Sequence, residues 1–158
     1  MLWKTHMAFG FLAGLIAMPF IEFLDWSEKL GFFSILLLAS ILPDIDHAKS
    51  KISTKIPIIP LIISLFFKHR GIIHSIYFAL LASFFAYYYL GYVYALAMLI
   101  GYTSHLIADG LTKSGINFLH PFSSLRIQGF IETGSITEAL VFIILLAIII
   151  MKISYRFF

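Results

Sequence analysis

The sequence predicts an all-α fold: a polytopic membrane helix bundle of about five transmembrane helices, forming a single domain over residues 1–158, with a polar site at one end. Three observations predict it. Apolar residues make up 61% of the chain and charged residues 12%, which is too oily for an ordinary soluble domain. The apolar residues fall into runs separated by short polar breaks, at about the 20 residues a bilayer crossing requires. The histidines and most aspartates gather at the ends of those runs rather than scattering along the chain.

The first helix is expected at 7–24, retained rather than cleaved, because no small-residue cleavage site follows it. Asp25, Ser27, Glu28 and Lys29 separate it from a second at 30–42, whose length reaches about 20 Å against a hydrocarbon core of about 30 Å, so that its Pro43 end is recessed. The stretch from Ile58 to Phe67 is apolar but too short to span, and suits an interfacial or re-entrant piece. Helices three and four, 72–90 and 92–110, form a hairpin about the Leu90-Gly91-Tyr92 break, and helix five covers 136–151. The long segments from Pro43 to Arg70 and from Lys113 to Ser135 carry most of the remaining polar residues.

Charge sets an orientation. Lys4, Lys49, Lys51, Lys55, Lys68, Arg70, Lys113 and Arg126 fall on the face of the amino terminus and the two long loops, against Lys29, Lys152 and Arg156 on the other. The positive-inside tendency places the first face in the cytoplasm of a multi-pass protein of the inner, or cytoplasmic, membrane. The net charge of +3 suits loop orientation and anionic lipid head groups, and no nucleic acid is expected. The absence of cysteine excludes disulfides, thiolate nucleophiles and thiolate zinc sites, leaving histidine, carboxylate and hydroxyl groups for any chemistry.

Those groups collect in four clusters: His6 before helix one, Asp44, Asp46 and His47 after helix two, His69, Arg70 and His74 before helix three, and His105 with Asp109 closing helix four. The start of an odd helix and the end of an even one lie on one side of a membrane, so all four share a face, joined by Glu138 at the start of helix five. His105 and Asp109 stand four residues apart on one helical face, where they can grip one ion or the Asp can orient the His. Asp44 and Asp46, following Pro43, suit an extended turn. Gly71 lets His69 precede a helix whose first turn holds His74.

Each residue alone has an ordinary explanation. Asp44 can cap a turn, and His6, His47 and His120 can be polar residues at an interface. Lys49, Lys51 and Lys55 suit a lipid-attracted loop, Tyr87-Tyr88-Tyr89 an interfacial belt, and Gly10 with Gly14 close helix packing, within the chain or in a homo-oligomer. The delivery of imidazoles and carboxylates from separate segments to one face is not explained that way. It implies a divalent metal centre, with His6, Asp44, Asp46, His47, His69, His74, His105 and Asp109 as candidate ligands. Zinc is favoured over manganese or magnesium, as a pair of ions. Asp46, His74, Arg70 and Glu138 are the candidate catalytic groups, Arg70 as the forked cation for phosphate oxygens.

At these residues the chain resembles the membrane-bound, metal-dependent hydrolases of YdjM type, described also as LexA-binding, inner-membrane-associated hydrolases. The likeness is carried by Thr5-His6, Leu42-Pro43-Asp44-Ile45-Asp46-His47, His69-Arg70-Gly71-Ile72-Ile73-His74-Ser75 and Gly101-Tyr102-Thr103-Ser104-His105-Leu106-Ile107-Ala108-Asp109, followed by Thr112, Gly115 and Leu119-His120-Pro121-Phe122. More distantly, the ligand types are similar to those of zinc-dependent phospholipase C. That likeness implies metal ligation by His6, Asp44 or Asp46, His69 or His74, His105, Asp109 and Glu138. It departs at Trp3, which is internal here where those enzymes use a processed terminal Trp. A second lipid phosphatase class with a nucleophilic histidine is excluded by Leu99, which stands where its arginine would be.

The expected function is therefore hydrolysis of a phosphoester on a phospholipid or lipid-linked phosphate at the cytoplasmic face. The rivals are a metal-ion or proton transporter, which should carry ionisable groups at mid-membrane on broken helices, and a noncatalytic anchor for a cytoplasmic partner. No acid falls in the middle of any expected helix.

Overall fold

The computed structural model describes residues 1–21, 25–46 and 70–157. Within them the fold is all-α, as the sequence predicts, with helices α1 (Trp3–Ala17), α2 (Trp26–Ala39), α3 (Ile76–Leu90), α4 (Tyr92–Gly110) and α5 (Ile136–Phe157). The expected interfacial piece between Ile58 and Phe67 lies outside the described residues, as do His47 and His69.

Several boundaries differ from expectation, each for a local reason. α1 starts at Trp3 and stops at Ala17 because Pro19 lies in the 3₁₀ turn Met18–Phe20, where its ring and missing N–H end an α-helix. α2 starts before residue 30 because the polar break is its cap: Asp25 accepts the Glu28 N–H at 2.7 Å, and the Glu28 carboxylate accepts the Asp25 N–H at 3.1 Å. That first contact holds the exposed Asp25 carboxyl below its usual range. Beyond Ala39 the chain runs into a 3₁₀ turn at Leu42–Asp46, so Asp44 lies on a helical turn rather than an extended one.

A single helical turn, Arg70–Ile73, precedes α3, and Ser75 then caps α3 by accepting the Phe78 N–H. His74 thus occupies the break between the two, not the first turn of a helix. α4 begins and ends where expected, after Gly91, whose φ of +99° few side chains tolerate. α5 runs past residue 151 to Phe157.

The chain Trp26–Asp44 and the stretch Ile136–Tyr155 are long and apolar enough to cross a bilayer, while Ile76–Leu90 is apolar but shorter. α4 packs against α1, α2 and α3, and α1 also packs on α5. The core holds Phe32, Leu36 and Ala97 between α2 and α4, Ala79, Tyr102 and Leu106 between α3 and α4, and Ala8, Leu145 and Ile149 between α1 and α5. The outward faces are apolar too, with Phe84, Phe85, Ile143, Ile144 and Ile150 exposed, as a lipid solvent allows.

Glycines bring the helices close. A Cβ on Gly101 would sit 2.3 Å from the Leu36 carbonyl oxygen, and one on Gly10 would sit 2.8 Å from Ser40 Cβ. His105 lies one turn beyond Gly101 on α4, and His6 one turn before Gly10 on α1. The two close approaches therefore lower both histidines onto the end of α2, where the chain turns into Pro43 and Asp44.

Candidate metal centre

Five of the predicted ligands meet at this end of the bundle: His6, Asp44, His74, His105 and Asp109. His6 and His105 are fully buried, with rings stacked at 3.9 Å between centroids and 16° between planes. His74 stands at 5.5 Å from His105, measured between ring centroids. The Tyr102 hydroxyl donates to the Ile73 carbonyl at 2.6 Å, tying the turn that presents His74 to α4.

The two carboxylates divide their oxygens between the histidines. Asp44 Oδ1 lies 3.7 Å from His74 Nε2 and 3.9 Å from His105 Nε2, and Asp109 Oδ2 lies 3.9 and 3.4 Å from the same two atoms. The other oxygens face His6 Nε2, Asp44 Oδ2 at 3.6 Å and Asp109 Oδ1 at 3.2 Å. The Met1 amino group also approaches Asp109 Oδ1, at 2.9 Å.

These spacings mostly exceed hydrogen-bond length, and both ring nitrogens of His6, His74 Nδ1 and His105 Nε2 are buried without a hydrogen bond. The shortest histidine–carboxylate approach is that of His6 Nε2 to Asp109 Oδ1, at 3.2 Å. Buried polar atoms left unpaired are costly, at about 1–3 kcal/mol each. Ligands about 2.0–2.2 Å from one tetrahedral ion stand about 3.3–3.6 Å apart, close to the separations seen here. Asp44, His74, His105 and Asp109 each offer one atom, all within 4.8 Å of one another, so the four could hold one ion. The donor set of imidazole nitrogen and carboxylate oxygen suits zinc or a similar divalent cation.

His105 is prepared for such a role. Its Nδ1 lies 2.9 Å from the Ser40 carbonyl oxygen, which can only accept, so Nδ1 carries the proton and Nε2 presents its lone pair to the cup.

Not every predicted residue joins. The side chains of Asp46 and Arg70 lie outside what the structure describes. Glu138 is absent from the four-residue group, and its carboxylate accepts the Leu2 N–H at 2.6 Å and the Gly134 N–H at 2.7 Å. It thereby ties the start of α1 to the start of α5. That structural tie stands beside the catalytic role the sequence predicts for it.

The cup opens on a cavity of about 400 Å³ whose lining joins Asp44, His74 and Asp109 with Asn117, Arg126 and Thr133. Arg126 enters the sequence reading only as an orienting charge, and Asn117 and Thr133 not at all. These three lie on the 111–135 segment, whose fold is set by backbone pairing that leaves no periodic signal. Ile116 and Ile127 exchange hydrogen bonds of 2.9 Å in both directions, and the Lys113 N–H donates to Ile131 at 2.9 Å.

The sequence profile of the family described as YdjM inner membrane protein matches residues 1–158. An uncharacterized protein of Bacillus subtilis, YvsG, is 37% identical over 118 residues, covering 70% of this chain and 74% of its own length. The inner membrane protein YdjM of Escherichia coli is 40% identical over 91 residues, covering 54% of this chain, and that of Shigella flexneri matches equally. The matched part is 46% of the length of those two relatives. No solved structure matches. With a profile match from end to end, the chain belongs to the YdjM family of membrane proteins.

Proposed function

We propose that this chain is a multi-pass inner-membrane enzyme that hydrolyses a phosphoester on a phospholipid or lipid-linked phosphate, using two divalent ions, zinc foremost, at the cytoplasmic face. The observation that carries this reading is the division of the two carboxylates. Asp44 Oδ1 and Asp109 Oδ2 turn to His74 and His105, while Asp44 Oδ2 and Asp109 Oδ1 turn to His6. Two carboxylates that each give one oxygen to either side could serve a pair of cations.

Divalent ions held there supply Lewis acidity and a water ionisable near neutral pH. The chain's own part is to fix the ligands through the Ser40 carbonyl and Tyr102, and to exclude water from His6 and His105 by burial. It also leaves Asp44, His74 and Asp109 open to the cavity. A lipid-borne substrate is supported by Phe122, Leu125 and Phe130, which are exposed on the segment that walls the cavity. Apolar side chains at that position suit an interface where a head group enters and its tails stay in the membrane. The placement of the cup at a bundle end, not midway along broken helices, weighs against transport.

The test is phosphate release by purified, zinc-loaded protein from a panel of phospholipids and polyprenyl phosphates, beside His105→Ala and Asp109→Ala. Release by the wild type, reduced at least about a hundredfold in both variants, is the expected result. Zinc uptake with no hydrolysis across the panel would overturn the enzymatic reading in favour of storage, sensing or transport.

A further inference from the structure

We infer that Arg126, carried on the 111–135 segment, forms the anion-binding part of the cavity and receives the phosphate oxygens of the substrate beside the Asp-His cup. This rests on the phosphoester reading and names the group that selects an anion within it. The cup and Arg126 line one cavity, of a volume that admits a phosphate with part of a head group. The Arg126 guanidinium donates through one Nη2 hydrogen bond to the Ser114 carbonyl, which anchors one edge of the fork, and Asn117 and Thr133 add polar groups to the same wall. A planar guanidinium held at one edge keeps donors for bidentate contact with a phosphate.

The position of Arg126 is built into the backbone. Its neighbour Ile127 is paired in both directions with Ile116. Gly115, at a φ of +58°, passes so close to the Ile127 stretch that a Cβ would meet the Ile127 carbonyl oxygen at 2.4 Å. At the other end of the clasp the Thr112 hydroxyl donates to the carbonyl of Asp109 at 2.7 Å, and the Gly129 N–H donates to the carbonyl of Thr112 at 3.0 Å. The end of α4 that carries Asp109 and the segment that carries Arg126 are thus tied together by backbone and side-chain hydrogen bonds. Lys113 is no substitute, since its ammonium is engaged by Glu132 at 2.8 Å.

The experiment is calorimetric titration of inorganic phosphate into the zinc-loaded full chain in detergent, for wild type, Arg126→Ala, Arg126→Lys and Lys113→Ala, with zinc content measured on each sample. Arg126→Ala should weaken phosphate binding about ten- to hundredfold, with zinc content unchanged. Arg126→Lys should fall between the two, keeping charge without the fork, and Lys113→Ala should match wild type. Phosphate affinity within about twofold of wild type in Arg126→Ala would overturn the assignment, as would a zinc-loaded wild type that takes up no phosphate. Failure of the wild type to hold zinc would instead overturn the metal reading, so the two failures are told apart by the zinc measurement. Should Arg126→Ala unfold, Arg126→Lys carries the test: an affinity equal to wild type would then overturn the assignment.

Discussion

His105 is fixed at one ring nitrogen and open at the other. The Ser40 carbonyl accepts a hydrogen bond from its Nδ1–H, and Nε2 is buried between two carboxylates and two imidazoles with no hydrogen bond of its own. An ion in the cup would satisfy that atom and its neighbours together, and because such a cup exists only in the folded chain, binding would add to stability. At free zinc a hundred times the dissociation constant the gain is about 2.7 kcal/mol. Adding a strong chelator should therefore lower the melting temperature of the wild type in detergent and leave that of His105→Gln unmoved. A wild type indifferent to chelator would contradict this account of the buried imidazoles.

At the scale of elements, the site depends on how closely α4 can lie on α2. A Cβ at Gly101 would meet a backbone oxygen of α2 at 2.3 Å, which only movement of the whole helix relieves, whereas one at Gly110 would meet Ile127 Cγ2 at an ordinary 3.6 Å. Gly101→Ala should destabilise the protein by about 1–3 kcal/mol and weaken metal binding, since His105 and Ser40 lie at that crossing. Gly110→Ala should be neutral or stabilise by up to about 1 kcal/mol. Thermal melts with and without zinc measure both, and equal effects at the two positions would contradict the close-approach account. The helices themselves were legible in the sequence where apolar runs meet hard stops, as at Leu90-Gly91-Tyr92 and after Asp109. They were misjudged where one residue has two uses. Asp25 and Glu28 read as loop because they are polar, yet they cap α2, and Ser75 between His74 and Ile76 gives little sign that it caps α3 and leaves His74 outside it. Among the candidate ligands, His105 and Asp109 share a helical face by their spacing, which points to a site only in company with the other clusters. The convergence of Asp44 and His74 on them is a tertiary fact, made by the glycine contacts at the end of α2 and by the Tyr102 hydrogen bond to the turn before His74, and Arg126 reaches the cavity through strand-like pairing that no period announces.

At the scale of the whole molecule, the bundle is inverted relative to a soluble protein: its burial is polar at one end and its surface apolar along the flanks. Trp26, Tyr87, Tyr88, Tyr89 and Tyr92 are exposed near the end far from the cup, where rings with a polar edge suit a membrane boundary. At the near end, ionisable groups from four separate stretches of chain are drawn together, at a desolvation cost that ordinary packing does not offset. A cation at their centre is the physical reason such an arrangement would be kept. The most direct measurement is the metal content of the purified, full-length protein by elemental analysis, beside Asp44→Ala, His105→Ala and Asp109→Ala. The account predicts up to two equivalents of a divalent metal, zinc foremost, in the wild type and loss of metal in all three variants. A wild-type protein that holds no metal after exposure to zinc, or variants that hold as much as it does, would contradict it.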